Sequence, residues 1–298
     1  MSTFVLVPGA WLGAWAWSDV TAELRGGGHD VRPVTLTGLA ERAGEGTQDT
    51  TLTTHVDDVV SVFEKGDLRN VVLVGHSYAG AVITGVADRI PERIARLVYL
   101  AAIVLPDGRS IFDTLGPEVQ AGMETGAAAA GDPLRLPVIG REQLDLYYGT
   151  HGLDDRTFEV LATRGTPHPI GTYRERLSLG NPADTAIART YLRATADFPS
   201  PIAPKTPGWD YAEIDTGHWP MFTKPLELAA LLDALPVVAP CRRPDNPLGD
   251  CGSDGRDSDP RGAGPNPYCA CPTPSSHRPR PTTSQESVNG TFRSGGVA

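Results

Sequence analysis

The stretch Gly75-His76-Ser77-Tyr78-Ala79-Gly80 sets a serine among small residues. It meets the pattern G-x-S-x-G at Gly75 and Ser77, with Ala79 in the last place and the glycine displaced to Gly80. A serine on a sharp strand-to-helix turn is pushed clear of a sheet, and the tight turn needs small neighbours. A serine hydroxyl is a weak nucleophile at neutral pH and needs a base. The chain has seven histidines. His277 lies in the C-terminal stretch, and His76 adjoins Ser77 with its side chain expected to point away. His29 and His55 fall among the early helix and strand signals, and His151 and His168 in the middle segment. His218 follows an apolar run across the turn Asp215-Thr216-Gly217, at the expected carboxyl end of a strand. An orienting carboxylate belongs between serine and histidine in this chain order. Asp197, after Tyr191-Leu192-Arg193-Ala194, suits that place best. Asp107 is second, and Asp210 and Asp215 lie in or beside the strand that feeds His218. The Tyr78 amide, at the start of a helix, can face a developing oxyanion, which the helix dipole also favours. The turn Pro8-Gly9-Ala10-Trp11 offers the Ala10 amide as a second donor. Such a set performs nucleophilic acyl transfer. The plain alternative is a glycine-rich turn with an incidental serine.

These residues need a scaffold that brings strand ends together. Phe4-Val5-Leu6-Val7 is a short apolar run ending at Pro8-Gly9, a buried strand and its turn. Residues 14–25 carry Trp15, Trp17, Val20 and Leu24 at helical spacing, and Gly26-Gly27-Gly28 stops that helix. Residues 30–34 read as a strand. Leu52, Val56, Val59, Val60 and Phe63 mark an amphipathic helix. Asn70-Val71-Val72-Leu73-Val74 is a β-branched strand running into Gly75, and a helix follows from Ala79 to Ile90. Leu97-Val98-Tyr99-Leu100, Tyr191-Leu192 and Trp209 to Ile214 read as further strands. Pro225 to Leu235 reads as a last helix, with Pro225 suited to its first turn. This alternation predicts an α/β fold, a mostly parallel sheet with helices on both faces. Ligands then bind outside the carboxyl ends of the strands.

Residues 105–188 break the rhythm and read as a cap insertion over those ends. Phe112, Leu115, Leu146 and Tyr148 are candidates to line a pocket there. Trp11, Leu12, Trp15, Trp219 and Met221 flank the site in sequence and suggest an apolar or aromatic substrate pocket. Each of these fits a core position equally well.

Composition narrows the classes further. The chain has 298 residues and a net charge of -10, which argues against nucleic acid or an anionic membrane surface as partner. No run approaches the roughly 18 apolar residues of a membrane helix, and the N-terminus lacks a signal-peptide pattern. A cytoplasmic enzyme is expected. Composition shifts near Pro236: residues 237–298 hold 10 Pro and 8 Gly, few large apolar residues and no hydrophobic period. Such a segment buries too little to offset its chain entropy, so disorder is expected. The domain is thus expected to span 1–236. All four cysteines, Cys241, Cys251, Cys269 and Cys271, fall beyond it, so no disulfide framework holds the core. With His277 they could bind zinc, but their spacing is not that of paired CxxC knuckles. No metal and no organic cofactor is expected.

The opening Phe4-Val5-Leu6-Val7-Pro8-Gly9-Ala10-Trp11-Leu12-Gly13-Ala14-Trp15-Ala16-Trp17 resembles that of the plant methylesterase and hydroxynitrile lyase branch of the α/β-hydrolases and its bacterial relatives. Gly75-His76-Ser77, Tyr99-Leu100-Ala101-Ala102 with Pro106-Asp107, Thr195-Ala196-Asp197, and Gly217-His218 with Met221 resemble the same branch in the same order. The likeness covers about residues 3–235. It implies an α/β-hydrolase fold, a triad of Ser77, Asp197 and His218, and an oxyanion hole of the Ala10 and Tyr78 amides. Two features depart from it. Pro8 stands where that branch usually has His. The stretch from Asp197 to His218 is short and carries Pro199, Pro201, Pro204 and Pro207.

The expected activity is hydrolysis of a small methyl or aryl carboxylic ester through an acyl-enzyme, by a monomer or homodimer. Cyanohydrin cleavage is disfavoured, because the lyases of that branch resemble one another in a Thr at the place of Gly9 and a Lys at the place of Trp219. Lactone formation, cyclisation or acyl transfer in secondary metabolism would use the same triad. A non-catalytic ligand receptor on the same fold is a further alternative, though receptors usually lose a triad member.

Overall fold

The computed structural model describes residues 1–148, 152–180 and 187–236. His151 and the whole C-terminal stretch, with its cysteines, His277 and expected disorder, lie outside the described residues.

In chain order the elements of the first half are β1 (Thr3–Val7), α1 (Ser18–Gly26), β2 (Asp30–Pro33), α2 (Leu52–Lys65), β3 (Val71–His76), α3 (Ala79–Arg89) and β4 (Ile94–Leu100). An insertion follows, with α4 (Ile111–Leu115), α5 (Pro117–Ala129), β5 (Arg135–Leu136), α6 (Arg141–Tyr148), α7 (Asp155–Arg164), β6 (His168–Pro169) and α8 (Gly171–Arg174). Then come β7 (Ala188–Ala194), β8 (Asp210–Ile214), α9 (Pro220–Thr223) and α10 (Pro225–Asp233). Six strands form one sheet in the order β2-β1-β3-β4-β7-β8, all parallel. β5 and β6 pair antiparallel inside the insertion.

The strand residues explain why both faces are covered. Successive side chains point to opposite faces. Val5, Val7, Val71, Leu73, Leu97 and Tyr99 belong to one core, with Val56, Val59 and Phe63 of α2 and Val82 and Val86 of α3. Phe4, Leu6, Val72, Val74, Val98 and Leu100 belong to the other, with Val20 and Leu24 of α1 and Leu228 and Leu232 of α10. A strand that is apolar on both faces is buried on both, as central parallel strands are.

Local departures from the expected elements have local causes. The helix expected over 14–25 is a 3-10 turn, Ala14–Trp17, followed by α1. The Ser18 hydroxyl donates to the Trp15 carbonyl at that junction, and the Thr35 hydroxyl accepts from the Ala14 amide. Between β7 and β8 the prolines leave an irregular connection rather than a helix. The direction of strand succession reverses at β1, which pairs with both β2 and β3. The loops after β1 and β3 therefore leave the sheet side by side, at the crevice where such sheets bind ligands.

Candidate active site

Ser77 sits directly after β3 with φ of 55°, a left-handed conformation that costs a residue with a Cβ about 1–2 kcal/mol. Three backbone bonds hold it there. Its amide donates to the Leu100 carbonyl, and its own carbonyl accepts from the Gly80 and Ile103 amides. The glycines of the motif follow from close approach. A Cβ on Gly75 would lie 2.7 Å from the Ala79 carbonyl oxygen, and one on Gly80 would lie 2.1 Å from the Ile103 oxygen. The displaced glycine is thus required at 80, while 79 takes an alanine.

The Ser77 hydroxyl donates to His218 Nε2 at 2.8 Å. His218 Nδ1–H donates to Asp197 Oδ2 at 2.6 Å. Both acidic and basic partners are nearly shielded from water, with side chains 7% exposed. Asp197 follows β7 and His218 follows β8, and those loops are fastened together. Thr195 and Ala196 amides donate to the Ile214 and Thr216 carbonyls, and the Thr195 hydroxyl donates to Asp215. The second-choice carboxylates lie elsewhere. Asp107 accepts from the Leu179 amide, and Asp210 pairs with Arg96.

The loop after β1 presses against Ser77. A Cβ on Gly9 would stand 3.1 Å from Ser77 Cβ and 2.7 Å from His76 Nδ1. Glycine is needed for that approach. Neither the Ala10 nor the Tyr78 amide donates to another described protein group. Tyr78 precedes α3, whose N-terminal end carries partial positive charge.

Three buried histidines brace this arrangement, and neither His55 nor His168 has a local sequence pattern that marks it. His76 Nε2–H donates to the His218 carbonyl at 2.7 Å. His55 Nε2–H donates to the Thr37 carbonyl, and its Nδ1 accepts from the Tyr78 hydroxyl at 2.8 Å. His168 Nδ1 accepts from the Trp11 amide at 3.3 Å. Burial pushes His55 down to about 4, and burial pushes His76 and His168 well below the ordinary histidine range. His55 and His168 are neutral, as their acceptor roles require.

The residues expected to line a pocket divide. Leu12, Trp219 and Met221 are buried in the core that covers the α1 and α10 face. The Trp219 ring still meets His218 edge-on, with centroids 4.9 Å apart. Trp11 is half-buried, with φ of 67°. Trp15 stacks on Phe222. Of the insertion residues, Tyr148 packs 4.6 Å from the His218 ring and 4.8 Å from Trp219. Burial pushes its phenol up, and the Asp197 charge adds to that. Phe112 is buried against Tyr173, whereas Leu115 and Leu146 are exposed. Among the described residues no helix is long and apolar enough to cross a membrane.

A family model described as the alpha/beta hydrolase family matches residues 4–231. A carbendazim hydrolyzing esterase of Nocardioides sp. (strain SG-4G) is 38% identical over 253 residues, covering 79% of this chain and 100% of the relative. Methylesterase 7 of Arabidopsis thaliana is 29% identical, covering 77% of this chain and 94% of that protein. Among solved structures, an extracellular alpha/beta-hydrolase from a Paenibacillus species has a TM-score of 0.69 at 24% identity, covering 78% of this chain and 98% of its own. That last likeness speaks for the fold alone. By its family match and by a sheet whose strand ends gather serine, histidine and aspartate, the chain belongs to the alpha/beta hydrolase family and is a hydrolase enzyme.

Proposed function

We propose that the protein is a serine esterase that cleaves a small methyl or aryl carboxylic ester through an acyl-enzyme. The observation that carries this reading is the unbroken relay from Ser77 through His218 to Asp197. The esterase and methylesterase names of two relatives point the same way.

In this reading His218 takes the Ser77 proton as Oγ bonds to the ester carbonyl carbon. The carbonyl oxygen becomes an oxyanion held by the Ala10 and Tyr78 amides, which are preset and unengaged. His218 then gives its proton to the leaving alcohol as the carbon–oxygen bond breaks. Water, deprotonated by His218, attacks the acyl carbon and releases the acid and free Ser77. Asp197 keeps the Nδ1–H tautomer and faces the imidazolium when it forms. Tyr148, packed beside the His218 ring, supplies aromatic surface at the reacting centre, which suits a small apolar or aromatic acyl group.

Turnover of p-nitrophenyl acetate and methyl salicylate by Ser77→Ala and Asp197→Asn tests the reading. Ser77→Ala should lose measurable turnover, and Asp197→Asn should lose roughly 10³- to 10⁴-fold in kcat. Undiminished turnover in Ser77→Ala would overturn it.

A further inference from the structure

We propose that His168 of the insertion is a positioning residue for the oxyanion hole, holding the Ala10 donor in place through the Trp11 backbone. The inference rests on the reading of Ala10 and Tyr78 given above.

Both backbone groups of Trp11 are held by the insertion. Its amide donates to His168 Nδ1 at 3.3 Å. Its carbonyl accepts from the Thr166 amide at 2.9 Å and from the Thr166 hydroxyl at 3.4 Å. The loop's own turn bond, from the Leu12 amide to the Gly9 carbonyl, is long at 3.4 Å. Trp11 is left-handed at φ of 67°, a conformation that persists only when its surroundings impose it. The contacts that impose it come from residues 155 and 157 positions away in the chain.

The hydrogen-bond chain dictates which nitrogen of His168 is free to accept. The Thr172 hydroxyl donates to the Pro169 carbonyl at 2.8 Å. Its oxygen is therefore left to accept, and His168 Nε2–H donates to it at 2.9 Å. Nδ1 then carries the lone pair that faces the Trp11 amide. The same ring also meets the other donor residue. Tyr78 packs edge-on against His168 with centroids 4.6 Å apart, and its hydroxyl is tied to His55. One imidazole thus holds the backbone next to Ala10 and packs on the side chain of Tyr78. An apolar side chain of similar size would fill the space but leave the Trp11 amide buried and free to turn.

The test compares His168→Leu, His168→Asn and Thr172→Val with the parent protein on p-nitrophenyl acetate, with melting temperature recorded for each. His168→Leu should lose roughly 10- to 100-fold in kcat with KM within about twofold, because misplacing a preset donor acts on the transition state. Asparagine sets an oxygen close to the Nδ1 position, and His168→Asn should recover most of the loss. Thr172→Val frees the tautomer and should lose kcat by a smaller factor. Inhibition by a trifluoromethyl ketone, which becomes an oxyanion on Ser77, should weaken in step with kcat. A purely space-filling role would move the melting temperature without this coupling. If His168→Leu does not fold, Thr172→Val and His168→Asn carry the test. Parent kcat and parent ketone affinity in folded Thr172→Val and His168→Leu, or in Thr172→Val alone when the other is unfolded, would overturn the proposal. Ser77→Ala in parallel separates the two ideas. Activity surviving in that variant defeats the reading of the site, whatever His168 does.

Discussion

His76 and His218 are joined across 142 residues by a hydrogen bond from the His76 ring to the His218 carbonyl, and their rings lie 4.9 Å apart. The residue beside Ser77 thereby fixes the chain that carries His218. The His76 ring donates to the His218 backbone, while the Ser77 hydroxyl is bonded to the His218 ring.

Replacement of His76 by leucine should leave that carbonyl buried without a donor, at a cost of about 1–3 kcal/mol. The melting temperature should fall by several degrees. Freed of its anchor, His218 should sample positions away from Ser77, so kcat should drop roughly tenfold or more while KM changes little. Steady-state kinetics on p-nitrophenyl acetate decide the matter, and an unaltered kcat would rule out the anchoring role.

Strain at Ser77 predicts an inactive protein that is more stable than another inactive protein. Glycine adopts φ of 55° freely and alanine does not. Ser77→Gly should therefore exceed Ser77→Ala in stability by about 1 kcal/mol. Urea unfolding of the two variants gives the comparison, and equal midpoints would mean that the turn stores no strain.

Gly80→Ala should be among the most damaging small changes in the chain. The added methyl would meet the Ile103 carbonyl at 2.1 Å, against the backbone that bonds to the Ser77 carbonyl. A loss on the order of 3 kcal/mol is expected. Ala79→Gly, one position away and free of that contact, should lose only about 1 kcal/mol from helix propensity. Thermal melts should rank the two in that order; the reverse ranking would contradict the packing described.

The buried neutral histidines predict an acid limit to stability. An unfolded histidine takes up its proton near pH 6.5, whereas folded His55 resists until about 4. His76 and His168 are shifted in the same direction. In that window the unfolded chain binds more protons, so stability falls as pH falls. The contribution is fully present above about 6.5 and is lost progressively below it, by up to about 1.4 kcal/mol per pH unit for each histidine. For His55 the neighbouring Asp58 charge offsets part of the shift and Arg42 adds to it. Urea midpoints at pH 7, 6 and 5 should decline steadily, and a flat profile would contradict the neutral states described here.

The parts legible in the sequence are those whose cause is local. The apolar run before Gly75 forms a strand because both of its faces are buried, and the helix after Ser77 begins where small residues allow the turn. The alternation of such units points to the parallel sheet, and the family match bears that out. The spacing of Asp197 and His218 after strand signals suffices to nominate them. What stays illegible is set by distant chain. His168 reads as one more insertion residue until its ring is found on the Trp11 amide. Leu12 and Met221 are neighbours of the site in sequence, yet each packs into the core. The prolines after Asp197 suggest disturbed geometry, but the loop bonds from Thr195 and Ala196 are made before the chain reaches them.

β8 closes the sheet on one side, is five residues long and, among the described residues, pairs with β7 alone. The rim strand of a sheet opens at a lower free-energy cost than the strands between neighbours. Here that rim leads into His218, and the loop after β7 that bears Asp197 is stitched to it. Peeling back this one rung would scatter the relay while the inner strands and the serine elbow stayed whole. The protein is therefore built to fall silent before it falls apart: in a denaturant titration, turnover should vanish at a lower concentration than the helical signal of α1, α2 and α3.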